Sequence, residues 1–410
     1  MKKRCILSDT TNNLPRIYNG TNWYVAEPHE ITYSASQLIS DLPSAVLQNQ
    51  VDTNTGYTIG AYYYGEWKVP GNSWNTQPWD RLTQWGFKER VPLLGRFSDD
   101  QQYVIDAEIR QAYEFGIDFF AFDFYWSTSN SSFNESPLIR FKNSPNKSLM
   151  KMCLMVANHS TWPDTFVNWQ NLVDYWINNY FNDSSYLKVN GKPVIIVFDP
   201  DNLAKKGQGM SPAKTTLSLL TEARNRWVAA GGAGIHFVAC QQPHAYWIGA
   251  GKYLESNGYD AITAYNYHYK YDGSIGWNWN GTYYNKATSY EDRCTGWENA
   301  WKWIVKDSNS TIPYYLPLCG GWDDRAWSSD GVTDTLNSPL SKGYWNCAAE
   351  EERFVTHLSR AKSLMDESPS GTSKIGIIYA WNEYGEGGYI APTKKYDHSL
   401  LETIKTSFSK

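Results

Sequence analysis

From Gly56 onward the chain repeats one pattern: a short apolar run, then a stretch with helical periodicity. The apolar runs fall at 57–64, 117–124, 149–157, 193–198, 235–239, 261–265, 312–318 and 374–380. Apolar side chains are nearly continuous within them, as in strands buried on both faces of a parallel sheet. Helices are expected over 103–115, 165–181, 213–230, 246–256, 289–306, 349–366 and 398–409. The eight strand runs and their helices predict an α/β fold of the (β/α)8 TIM-barrel type. A doubly wound open sheet is the alternative. It would place a glycine-rich phosphate loop after the first strand, whereas this strand runs into Gly65-Glu66-Trp67.

Residues 1–55 break the pattern. They are polar, and Asn19-Gly20 stands between the β-formers Arg16-Ile17-Tyr18 and Thr21-Asn22-Trp23-Tyr24-Val25, which predicts a hairpin. The segment is too short for a sizeable core. The expected organisation is a strand-rich N-terminal extension at 1–55 and a catalytic barrel at 56–410.

In such a barrel, function sits at the C-terminal ends of the strands. Every predicted strand delivers polar groups there. Tyr64, Glu66 and Trp67 follow the first, and Asp123 and Trp126 close the second. Asn158 and His159 follow the third, with Trp162 beyond, and Asp199 follows the fourth. Gln241 follows the fifth, Asn266 and His268 the sixth, and Trp322, Asp323 and Arg325 the seventh. Trp381, Asn382, Glu383 and Glu386 follow the eighth. Glu383 and Glu386 are the candidate catalytic pair, and the others apart from Trp162 and Asp199 are candidate substrate contacts. Glycosidic cleavage needs one carboxyl to protonate the leaving oxygen and another to support the electron-poor sugar carbon. Carboxyls three residues apart on a bent loop lie about 5–6 Å apart, the retaining range. Gly385 and Gly387 allow the bend. Their mutual repulsion raises the proton affinity of one of them, as an acid near neutral pH requires.

Several of these residues have plainer readings. Asp123 also suits a turn cap, Asp199 in Asp199-Pro200-Asp201 a turn, and Asp323-Asp324-Arg325 an internal ion pair. His236, alternating with apolar neighbours, reads as a wall histidine.

Composition narrows the partner. The 20 Trp and 30 Tyr include many in Gly- and Asn-rich stretches, such as Gly276-Trp277-Asn278-Trp279. Flat aromatic faces in loops suit sugar rings, so an oligosaccharide or polysaccharide is the expected substrate. A net charge of −5 disfavours nucleic acid. No apolar segment is long enough to span a membrane. The six cysteines contain no C-x-x-C pair, and the histidines lack metal-ligand spacing, so neither metal nor other cofactor is expected. Cys153 and Cys240 read as free core thiols, and Cys294 with Cys347 as a candidate bridge.

The run Trp381-Asn382-Glu383-Tyr384-Gly385-Glu386-Gly387, followed by Ile390-Ala391-Pro392-Thr393, resembles the end of glycoside hydrolase family 99 and of related barrel proteins from polysaccharide gene clusters. Gly60-Ala61-Tyr62-Tyr63-Tyr64, the stretch from Ala112 to Phe120, that from Tyr186 to Val194, and Gly321-Trp322-Asp323-Asp324-Arg325 extend the resemblance from Tyr57 to the C-terminus. It implies a (β/α)8 barrel cleaving α-mannosidic linkages inside a glycan, with retention and without metal. It implies Glu386 as general acid/base, and Glu383 as the base that deprotonates the sugar's own 2-hydroxyl to give a 1,2-anhydro sugar. Family members commonly carry an aromatic residue and then His between the two glutamates, where this chain has Tyr384-Gly385.

Three other readings stay open. Glu383 pairs with Asp123 or Glu66 across the mouth; the barrel binds carbohydrate without turnover; or it transfers sugars. A strand-rich lead before a glycan-cleaving barrel also suits attachment to a larger surface or virion assembly, and so an extracellular or cell-surface setting.

Overall fold

The computed structural model describes residues 56–68, 79–80, 82, 86–129, 131–159, 162–241, 250–266, 289–307, 310–327 and 347–408, and the backbone of three short strands nearer the N-terminus. The eight expected strands are present: β1 Thr58–Tyr63, β2 Phe119–Trp126, β3 Lys151–Val156, β4 Lys192–Val197, β5 His236–Cys240, β6 Ala261–Thr263, β7 Leu316–Cys319 and β8 Ile375–Tyr379. They pair in parallel in the order β6-β5-β4-β3-β2-β1-β8-β7. The two ends of that order meet just ahead of β7. Ile262 N–H donates to Pro313 O at 2.9 Å, and Tyr315 N–H to Ile262 O at 2.8 Å, closing the barrel. The seventh strand was expected from residue 312. Its ladder with β8 begins only at Leu316, because the Tyr314 N–H goes to Gly371 O and the Tyr315 N–H to Ile262 O, each at 2.8 Å.

Among the described residues, the helices of seven residues or more are α1 Gln102–Glu114, α2 Ser136–Asn143, α3 Phe166–Trp176, α4 Pro200–Gly209, α5 Thr216–Ala229, α6 Ala250–Ser256, α7 Tyr290–Lys302, α8 Glu351–Glu367 and α9 Ser399–Phe408. α2 and α4 were not expected. The reading of Asp199-Pro200-Asp201 as a turn is corrected: Asp199 Oδ1 accepts the Asn202 N–H at 2.8 Å and caps α4. An Asp cap followed by Pro at the first helical position is a helix start. The ends of the expected 165–181 and 289–306 helices are π-turns at Ile177–Phe181 and Trp303–Asp307.

Inside the barrel, Tyr62 reaches across from β1 to donate to Ala264 O at 3.1 Å. Gly60 leaves room for a ring: a Cβ there would lie 2.2 Å from Phe119 Cζ. Cys153, Cys240, Cys294, Cys319 and Cys347 are buried and free, so the candidate Cys294–Cys347 bridge is not formed. Cys347 instead pairs backbone to backbone with Trp322. His236 is a wall residue whose Nε2 lies 2.7 Å from the Tyr315 hydroxyl. No helix among the described residues is long and apolar enough to cross a membrane.

The expected N-terminal hairpin is present as Pro15–Tyr18 paired antiparallel with Trp23–Val25. A further strand, Ile6–Ser8, extends it to three.

Candidate active site

β8 ends at Tyr379, and the chain folds at once into a tight hairpin. Asn382 pairs with Tyr389 and Glu383 with Gly388. Glu383 sits on the first arm, 5% exposed, and Glu386 in the turn, partly exposed. Gly387 makes the turn with φ +71°, and a Cβ there would lie 2.7 Å from Asp323 N. The β7 and β8 loops therefore touch backbone to backbone, and Asp323 N–H donates to Glu386 O at 2.6 Å. Gly385, expected to share the bend, is not among the positive-φ residues.

Two tyrosines hold the two carboxylates. Tyr265, two residues past β6, donates to Glu383 Oε1 at 2.8 Å. Tyr379, the last residue of β8, donates to Glu386 Oε2. Their rings pack edge to face, with centroids 4.7 Å apart. Burial, then repulsion from Glu386 and Asp123, pushes the Glu383 carboxyl well above the usual range, against the Tyr265 hydrogen bond. Burial raises Glu386 to about 7, against the Tyr379 hydrogen bond and the charge of Arg293. Near neutral pH such a pair titrates as a unit, and a form holding one proton between them offers an acid and a base together.

Two more carboxylates complete the cluster. Asp123, on β2, is buried, and its Oδ1 has no hydrogen-bond partner among the described residues. Burial and then the charges of Glu386 and Glu66 raise its proton affinity well above the ordinary level. It caps no turn, so that reading of Asp123 falls away. Glu66 stands at φ 137°, a conformation that side chains rarely adopt, at a cost of about 1–3 kcal/mol. Asp99 clamps the loop around it, accepting from Glu66 N at 2.5 Å, Trp67 N at 2.9 Å and Lys68 Nζ at 2.5 Å. Glu66 thereby comes to lie 3.4 Å from the Tyr64 hydroxyl. Strain held at such a place by a buried clamp points to a role at the site.

Other expected contact residues are structural. Trp67, Trp126 and Trp381 are 0%, 2% and 0% exposed, which corrects their reading as sugar-stacking faces. Trp67 packs on Trp79 with centroids 4.3 Å apart and donates to Asn382 O at 3.1 Å. Trp126 donates to Asn168 Oδ1 at 2.7 Å. Trp381 donates to the buried Glu108 at 3.1 Å. Trp162 and Trp322 are also buried. Asn382 spends its amide on the end of β1, giving and receiving 2.8 Å hydrogen bonds with Tyr64 O and N. Asn158 does the same for β4, bonding Asp199 N at 2.8 Å and Asp199 O at 2.7 Å. Asp323 is an ion-pair centre, as the internal-pair reading had it. It takes Arg325 Nε at 2.6 Å, Arg325 Nη2 at 2.7 Å and Arg90 Nη2 at 2.5 Å. His159 is exposed beside Phe198, with centroids 4.7 Å apart. Asn266 is buried and Gln241 half-buried. His268 lies outside the described residues, as do Trp277 and Trp279.

Sequence reasoning missed Tyr265, Tyr379, Arg90, Asp99 and Arg293. The two tyrosines carried a signal, since each stands at the end of an apolar run. Arg90 carried none, because 233 residues separate it from Asp323.

The parallel barrel is closed, and carboxylates gather at its mouth. The fold is similar to that of a glycoside hydrolase-like protein (TM-score 0.58, 16% identity, covering 92% of this chain and 99% of that one). It is also similar to the GH99 endo-alpha-mannosidase from Bacteroides thetaiotaomicron (TM-score 0.50, 15% identity, covering 86% of this chain and 99% of that one). By sequence the chain belongs to the family described as Glycosyltransferase WbsX, whose model matches residues 88–404. No curated protein matches it.

Proposed function

We propose that the protein is a retaining, endo-acting glycoside hydrolase that cleaves an α-linked, mannose-like glycan with Glu386 and Glu383. The observation that carries this reading is the hairpin after β8. It carries both carboxylates on one short hairpin after β8, each with its own tyrosine donor. A carbohydrate-binding protein gains little from two acids held close in a desolvated hairpin, whereas glycosidic cleavage needs both.

Glu386, partly exposed and with proton affinity near neutrality, gives its proton to the leaving glycosidic oxygen. Glu383, deeper and hydrogen-bonded by Tyr265, takes the proton of the sugar's 2-hydroxyl. That oxygen forms a bond to the anomeric carbon as the bond to the leaving group breaks. Water then opens the 1,2-anhydro sugar, giving its proton to Glu386, while Glu383 returns its proton to the 2-oxygen. Asp123 Oδ1, which has no hydrogen-bond partner among the described residues, is placed to meet a ring hydroxyl.

The test is hydrolysis of reduced α-mannan oligosaccharides, with the anomer of the first product read by proton NMR. Internal cleavage with retention is expected. An inverted first product would instead favour Glu383 acting with Asp123 or Glu66 across the mouth. The family's description favours a second reading, sugar transfer. There an acceptor hydroxyl would replace water in the second step, and added acceptor glycan would appear in the product.

A further inference from the structure

Arg293, on α7, is fully buried. None of its three guanidinium nitrogens has a hydrogen-bond partner among the described residues. An arginine keeps its charge in any protein environment. A buried charge without a counter-charge is strongly unfavourable, so an anion is expected within its reach. Its neighbours include the thiols of Cys347 and Cys319, and the Cys319 thiol is held below its ordinary proton affinity, against burial, by a Cys294 hydrogen bond and the charge of Arg293. Its guanidinium carbon lies 5.3 Å from the centre of the Trp322 ring and 6.0 Å from that of Trp297. Trp322 packs on Tyr379 with centroids 5.9 Å apart, and Tyr379 donates to Glu386. The cation therefore stands one aromatic layer behind the hydroxyl that holds Glu386.

We propose that Arg293 is the counter-cation of Glu386, a positioning residue that acts across the Trp322–Tyr379 wall to stabilise the carboxylate left once the proton has gone to the leaving group. This rests on Glu386 being the acid/base. The other groups around Glu386 work differently. Tyr379 from β8 is a neutral donor. Asp123 from β2 and Glu383 from the same hairpin are acids, and Tyr265 and Tyr125 are phenols that burial keeps protonated. Arg90 and Arg325, from neighbouring loops, are occupied by Asp323. The charge of Arg293 acts downward on the Glu386 proton affinity, against burial. Without that charge the acid holds its proton more tightly and gives it up more slowly.

The experiment compares Arg293→Met and Arg293→Lys with wild type in two readouts. One is the infrared titration of the carboxyl band that Glu386→Gln removes; the other is the pH profile of kcat/KM. In Arg293→Met the band midpoint and the basic limb are expected to rise together by about one pH unit, a tenfold change in proton occupancy. KM is expected to stay within about twofold, because Arg293 touches no substrate. Arg293→Lys keeps the charge and is expected to leave the midpoint in place. A folded Arg293→Met with the wild-type midpoint overturns the proposal, as does a folded Arg293→Lys whose midpoint rises by the full unit. The second result applies even where the Met variant does not fold. The infrared readout needs no substrate. If Glu386→Gln remains active, the acid/base reading fails by itself, while the band still reports whether Arg293 acts on Glu386.

Discussion

Two groups of buried acids stand side by side at the mouth of this barrel, and their surroundings differ in kind. After β7, Asp323 has both oxygens bound by guanidinium groups, from Arg325 beside it and Arg90 far away in sequence. After β8, Glu383 and Glu386 each receive one phenol hydrogen bond and face Asp123 and each other. A carboxylate held by two cations is fixed as an anion and builds a loop. Carboxyls held by neutral donors among like charges hold on to protons and can exchange them. Proximity to the mouth does not separate the acids proposed to be catalytic from a structural one. The charge of its partners does.

Neutralising each group tests the contrast. Glu386→Gln and Glu383→Gln are expected to lower kcat by about 10²–10⁴-fold with little change in melting temperature, by steady-state kinetics and calorimetry. Asp323→Asn should do the reverse. Leaving the buried Arg90 guanidinium, with the partly exposed Arg325 beside it, short of its counter-charge is expected to cost about 3–5 kcal/mol, read as a lower denaturation midpoint. A stable Asp323→Asn, or an active Glu386→Gln, would break the comparison.

The effect of pH is next in size. Glu386 has a folded-state proton affinity near 7 against an ordinary value of 4.5, so the folded protein binds more protons than the unfolded chain between those values. Its contribution to stability is therefore full below about 4.5 and is lost as pH rises through about 7. Glu386→Gln should flatten that part of the stability–pH curve, by denaturant unfolding across pH 4–8. In the same window kcat/KM should fall above about pH 7, where the acid has lost its proton. The smallest expected change is Tyr379→Phe. Losing one charge-assisted hydrogen bond should lower kcat about tenfold and move the basic limb upward, by the pH dependence of initial rates.

Much of the barrel was legible because burial on both faces leaves its mark on each strand separately. The run at 374–380 announces β8 without reference to any partner. Edges were less legible where chemistry interrupts hydrophobicity. Tyr314 and Tyr315 give their N–H groups to Gly371 and Ile262 and so delay the β7 ladder, and Asp199-Pro200, which reads as a turn by itself, starts α4. The tryptophans misled because a ring in a polar stretch suits a sugar and a loop core equally well. Trp67 packs on Trp79 and binds Asn382 O, a partner 315 residues away.

The sequence by itself determined the eight-unit alternation, the bent loop that carries Glu383 and Glu386, and the family, because these depend on local pattern. Only the tertiary structure decided which acids keep protons. Tyr265, Asp123, Arg90 and Arg293 reach their carboxylates from separate strands, loops and helices, and a side chain's charge state is set by what surrounds it in space.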